Sequence, residues 1–223
     1  MWLSAVLLLV LFLSATATAQ KQHSLKLLAV QENADGSQTG SGADLYLELK
    51  EGTGRVFLDT FPATKIDTQI STRFAKEIAC HFYKLSCDKY DFIYTIKAES
   101  NIIGGPSAGA AIAALTAIAI LDLDYSQDIA ITGTINSGGI IGPVGGVKEK
   151  LEAASQLGLD TVLVAKGTAS PPDDEDFSEV NASGLNTSEL NASKQFINLT
   201  QYAKENLSLV VIEVSDLDEV MLY

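Results

Sequence analysis

Beyond its first twenty residues, the chain opens in the alternating rhythm of half-buried strands. Ser24 to Val30 and Asp44 to Leu49 both read as strands, with Leu45, Leu47 and Leu49 on one face and polar or amphipathic side chains on the other. The turn-rich stretch Gly36 to Gly42 joins them, which predicts an antiparallel hairpin. Arg55 to Leu58 adds a short strand. The period then lengthens. Thr68 to Tyr83 predicts an amphipathic helix, with Ile70, Phe74, Ile78 and Phe82 at helical spacing, and Asp91 to Ile96 returns to strand.

Asn101 to Leu121 carries no charge. Gly104, Gly105 and Pro106 break its first part, leaving Ser107 to Leu121 as helix. Such an Ala-rich segment is too short for a span, which needs about 20 residues, and suits a buried core helix. Ile129 to Ile135 predicts a strand, Gly138 to Gly146 a glycine-rich crossing and Val147 to Leu157 a helix. Thr161 to Val164 reads as a buried strand, Phe196 to Glu205 as a helix, Leu209 to Val214 as a strand and Asp216 to Leu222 as a last helical turn. Helices and strands mix without strict βα alternation, so the expected fold is α+β, one domain over residues 20–223. Residues 166–194 form a polar excursion from it, with Pro171-Pro172 ahead of four acidic residues, Asp173 to Asp176.

Composition narrows the partners. Of 223 residues, 47% are hydrophobic and 19% charged, enough for a sizeable core. The formal charge of −13 repels phosphate backbones and argues against nucleic acid. Residues 1–19 stand apart: an apolar run from Trp2 to Leu13 leads into Ala15-Thr16-Ala17 and Ala17-Thr18-Ala19, both small-x-small sites. This is the order of a secretory signal peptide, although no Lys or Arg precedes the run. Two outcomes stay open, a cleaved leader and an uncleaved membrane anchor through residues 2–19. Both place the protein outside the cytoplasm or at the cell surface. Asn181, Asn186, Asn191, Asn198 and Asn206 each open an N-x-[ST] sequon, which makes them candidate glycosylation sites. Cys80 and Cys87, the two cysteines, can pair if the helix through Cys80 ends before Cys87. If it continues, their Cα atoms stand about 10 Å apart and both stay free. One nearby histidine, His81, is too few for zinc, and no metal is expected.

The densest chemical signal is Gly104-Gly105-Pro106-Ser107-Ala108-Gly109. Gly105-x-Ser107-x-Gly109 has the form of a nucleophile elbow, which needs a later acid and histidine. His23 and His81 both precede Ser107, so that triad order is excluded. No G-x-x-x-x-G-K-[ST] phosphate cradle is present, and no cofactor is expected. Asp122, Asp124 and Asp128 lack the Gly and Glu of a calcium loop. A serine can still be activated by a lysine whose pKa is brought down from about 10.4 by burial or by the positive end of a helix. Val147, Lys150, Leu151, Ala154 and Leu157 share one helical face, so Lys150 is carried on the apolar side. Lys148 projects oppositely, with Glu152 and Ser155.

Three blocks resemble the proteolytic domain of Lon-type peptidases: Gly105 to Gly109, Ile129 to Gly133, and Gly142 to Lys150. The resemblance covers about Tyr90 to Val164. It implies Ser107 as nucleophile, Lys150 as general base and Thr132 as a hydrogen-bonding support, acting on polypeptide through an acyl-enzyme. It also implies a homo-oligomer. Backbone groups of Gly105, Pro106 and Ser107 are the expected oxyanion site. The chain departs from the pattern in two ways. Gly104 stands where many Lon-type enzymes carry Asp, and no ATPase module is recognisable, so the expectation is a stand-alone peptidase of the kind found in archaea, without ATP of its own. Two other readings compete: a non-catalytic exported binding module that keeps the fold, and a hydrolase of small esters or amides.

Overall fold

The computed structural model describes residues 22–98, 104–169 and 198–223. The leader, the glycine-preceding stretch 99–103 and most of the polar excursion, including Asn181, Asn186 and Asn191, lie outside the described residues.

The expected hairpin is longer than its apolar pattern. Strands β1 (Gln22–Glu32) and β2 (Gln38–Glu51) pair antiparallel over their whole length, and the turn is confined to Asn33–Ser37. Gly40 and Gly42 belong to β2, not to the link. Strand β3 (Val56–Phe61) pairs parallel with β4 (Tyr90–Ala98), giving a sheet of order β1-β2-β4-β3. Between them runs helix α1 (Ile66–Phe82). Helix α2 (Gly109–Leu121) follows a 3-10 turn over Pro106–Ala108.

The second half supplies a parallel sheet, β5 (Ile129–Thr132), β8 (Thr161–Ala165) and β9 (Val210–Val214), in the order β5-β8-β9. The strand expected over Ile129 to Ile135 breaks at Gly133. Its second piece, β6 (Thr134–Ile135), leaves the parallel sheet and pairs antiparallel with β7 (Ile141–Gly142). Helix α3 (Val147–Gln156) lies against β1 and β2. Helix α4 (Leu199–Tyr202) passes into a π turn over Ala203–Leu207, and α5 (Leu217–Val220) ends the fold. The architecture is α+β.

Helix α2 is the centre of the core. Every residue from Gly109 to Ala119 is buried, packed by α1, the first sheet, β5 and α5. No helix among the described residues is long and apolar enough to cross a membrane.

The face of α1 differs from its apolar stripe. Ile70 and Phe74 are exposed, while Thr68, Thr72, Ala75, Lys76, Ala79 and Cys80 are buried. The reason is the partner: α1 packs on Ala-rich α2, which its small Thr72, Ala75 and Ala79 let approach, while Ile78 and Phe82 of the stripe still pack against the core. Thr72 removes its polar cost by donating to the Thr68 carbonyl at 2.8 Å. Helix α1 ends at Phe82, Lys84 turns the chain at φ 52°, and Cys80 and Cys87 form a disulfide with Cα atoms 6.0 Å apart.

Close approach also fixes α3. A Cβ on Gly40 of β2 would stand 1.8 Å from the Glu149 carbonyl oxygen of that helix. Gly40→Ala must therefore push α3 outward. Such overpacking costs about 1–3 kcal/mol. The expected outcome is a lower thermal midpoint, which melting curves of the variant beside the wild type check.

Candidate active site

Five separate segments converge on one open cleft of about 380 Å³. It is lined by Ala29 and Val30 from β1, Gly104 to Ser107 from the loop before α2, Thr134, Pro143 to Gly145, and Lys150.

Ser107 sits in the 3-10 turn that opens α2 and is half-buried. Its segment is tied to the β5–β6 break through one residue: the Gly133 N–H donates to the Ser107 carbonyl, and the Gly133 carbonyl accepts from the Ala110 N–H, both at 3.0 Å. The break that leaves the parallel sheet at Gly133 thus locks Thr132 beside the serine segment.

Lys150 is carried on the buried face of α3 with Val147, Leu151, Ala153 and Ala154. Leu157, the last residue of the expected stripe, lies beyond the helix end and is exposed. Lys148 does point elsewhere. Its ammonium lies 3.6 Å from Glu152 and over the Tyr202 ring. The Lys150 side chain is only 3% exposed, and its Nζ donates to Thr132 Oγ1 at 3.0 Å. Burial penalises the ammonium and pushes its pKa down to about 8. Near that pH a large share of Lys150 is neutral and carries a free lone pair, which is what a general base requires. The hydroxyl of Thr132, itself 1% exposed, steers that lone pair by accepting one of the amine hydrogens.

Two of the three expected oxyanion donors fail. Pro106 has no N–H to give. The Gly105 N–H is engaged by Asp67 Oδ2 at 3.1 Å. The third, the Ser107 N–H, stands in the first turn of the 3-10 segment Pro106–Ala108, at the positive end of α2.

The other residues singled out in the sequence lie elsewhere. His23 is buried and stacks on Tyr125 with ring centroids 6.1 Å apart, and the His81 ring bonds the Glu77 carbonyl at 2.8 Å. Neither lines the cleft. Of the sequon asparagines within the described residues, Asn198 caps α4 by accepting from the Gln201 N–H, and exposed Asn206 donates to the Tyr202 carbonyl. No group of three or more His, Cys, Asp or Glu side chains able to hold a metal occurs among the described residues.

Comparison with known proteins places this geometry. Residues 96–205 match the model of the Lon protease (S16) C-terminal proteolytic domain, a span that holds Ser107, Thr132 and Lys150. The chain is 47% identical over 80 residues to Lon protease 1 of Thermus thermophilus, covering 36% of this chain and 10% of that protein. It is 42% identical over 149 residues to Lon protease of Helicobacter pylori, covering 63% of this chain and 17% of the relative. Archaeal Lon protease of Halobacterium salinarum is 33% identical over 79 residues, 35% of this chain and 11% of its own. The matched stretch is thus a small part of each curated relative's length.

Proposed function

Because the chain belongs to the Lon protease (S16) family through its C-terminal proteolytic domain, we propose that it is a serine endopeptidase working through a Ser107–Lys150 dyad. The observation that carries this reading is the buried Lys150, bonded to Thr132 and opening onto the same cleft as Ser107. Neutral Lys150 takes the Ser107 proton as the hydroxyl attacks a peptide carbonyl. The N–H of Ser107 holds the oxyanion. Lys150 then returns the proton to the leaving amine, and water releases the acyl group. None of these steps needs a nucleotide.

Strand β1 supplies the docking rail. The Ser24 N–H donates to Tyr125 Oη at 2.8 Å and its carbonyl accepts from the same hydroxyl at 3.0 Å, so the Ser24 backbone faces away from β2. In an antiparallel pair this orientation repeats every second residue. Val30, six residues on and in unbroken register, therefore turns its N–H and C=O to the open edge beside Ser107. An extended peptide added there enters the site by strand pairing, which favours polypeptide over small esters. A non-catalytic module would not need an ammonium buried with no carboxylate partner among the described residues, a costly arrangement.

The disulfide supports a working place in an oxidising compartment, outside the cytoplasm, with residues 1–19 as exported leader or anchor and the sequon asparagines open to glycans. Phe61, Ile66 and Ile70, at 74%, 70% and 62% exposure, support self-association as an oligomer.

The test is hydrolysis of an unfolded protein and of short peptides, without ATP, by the purified chain beside Ser107→Ala. Cleavage by the wild type alone supports the reading. Equal background in both, or cleavage of esters but no peptide, overturns it.

A further inference from the structure

The loop that presents Ser107 is shaped two residues earlier, at Gly105. This residue has φ 95° and ψ 154°, a conformation that only glycine tolerates. Glycine also leaves that conformation easily, so something must hold it.

The start of α1 does so from two sides. Asp67 Oδ2 accepts the Gly105 N–H at 3.1 Å, and Thr68 Oγ1 donates to the Gly105 carbonyl at 3.4 Å. The carboxylate is itself oriented, because Asp67 Oδ1 accepts the Thr68 N–H at 2.7 Å. One turn on, Ser71 Oγ reaches the Pro106 carbonyl at 3.5 Å. Three consecutive polar contacts thus run from one helical end onto the two residues before the nucleophile. Thr68 is 2% exposed, so its side of the grip is dry and geometrically fixed.

We propose that Asp67, acting with Thr68, is a positioning residue for the catalytic loop: it clamps the Gly105 peptide and so sets where the Ser107 hydroxyl stands. The inference rests on the peptidase reading above. Asp67 touches no reacting atom. Its carboxylate turns the Gly105 N–H away from the cleft and leaves the oxyanion to the Ser107 N–H. The rival account gives Asp67 the ordinary role of an acidic residue in a helical first turn, which steadies α1 and leaves the loop alone.

Three readouts on the full chain separate them: amide hydrogen exchange at Gly105, kcat and KM for a short peptide, and the thermal midpoint. In Asp67→Ala, Gly105 exchange is expected to rise about tenfold, the loss of one hydrogen bond. A displaced nucleophile should lower kcat about 10- to 100-fold with KM nearly unchanged. Asp67→Asn, which keeps a carbonyl acceptor for the Gly105 N–H, should recover most of both. Unchanged Gly105 exchange in Asp67→Ala overturns the proposal, as does a lower thermal midpoint with kcat unmoved. If the wild type hydrolyses nothing, the peptidase reading fails, and the exchange data alone still decide whether Asp67 holds Gly105.

Discussion

Ser107→Ala is expected to fold like the wild type and to cleave peptides at least about 10⁴-fold more slowly. Both halves follow from where the residue sits. Its backbone is held by the Gly133 N–H and by the 3-10 turn, and neither contact uses the hydroxyl. The side chain is half-buried at the cleft wall, so deleting one oxygen removes little packing. Stability should change by no more than about 0.5 kcal/mol, as for most substitutions away from the core. The rate, in contrast, loses its covalent route altogether. What survives is oxyanion binding by the backbone N–H at position 107, which the alanine chain retains. Steady-state hydrolysis and a melting curve from one preparation check both halves.

Lys150→Met is expected to abolish hydrolysis while raising stability, a combination that few functional residues produce. The sign follows from the pKa. Unfolded, the lysine titrates near 10.5, and folded it titrates near 8, because burial disfavours the charge. Between those values the unfolded chain binds more protons, so stability rises with pH. Below pH 8 the ammonium is charged in both states and its full burial cost is present. That cost is about 3 kcal/mol, at 1.36 kcal/mol for each unit. Methionine fills a similar volume without a charge, although it leaves Thr132 Oγ1 without its ammonium partner, which takes back about 1 kcal/mol. The variant should thus be about 2 kcal/mol more stable at pH 7. Its stability should also lose the rise that the wild type shows between pH 8 and 10.5. Denaturant titrations at pH 7 and 10 check the sign. A variant less stable than the wild type at pH 7 would show that Lys150 is not strained by its burial.

Ser107 and Lys150, the proposed dyad, are each announced locally in the sequence. Glycines and a proline bracket Ser107, and helical phase puts Lys150 with Val147 and Leu151 on the buried face. The hairpin was readable for the same reason, since Leu45 and Leu47 alternate with polar neighbours. Other features depend on what the chain meets. Ile70 and Phe74 look like core residues by spacing, yet α1 turns its small residues inward, because α2 offers a surface of alanines rather than a cavity. The strand from Ile129 to Ile135 has one apolar pattern but two sheets to serve, and Gly133 divides it. Asp67 and Gly105 are far apart in sequence, and nothing near either residue signals the other. The oxyanion assignment erred differently: Pro106 lies at the right place in the loop but lacks the required hydrogen, and the Gly105 N–H already has an acceptor.

The account stands on one claim, that Ser107 is a nucleophile activated by a neutral Lys150. The most direct measurement is the pH dependence of covalent labelling by a fluorophosphonate, with the adduct located by mass spectrometry of the digested chain. The account predicts a single adduct on Ser107, formed at a rate that rises through one ionisation near pH 8 and absent in Lys150→Met. An adduct on another residue, or a Ser107 labelling rate that stays flat between about pH 6 and 9, where a lysine base must titrate, would contradict it.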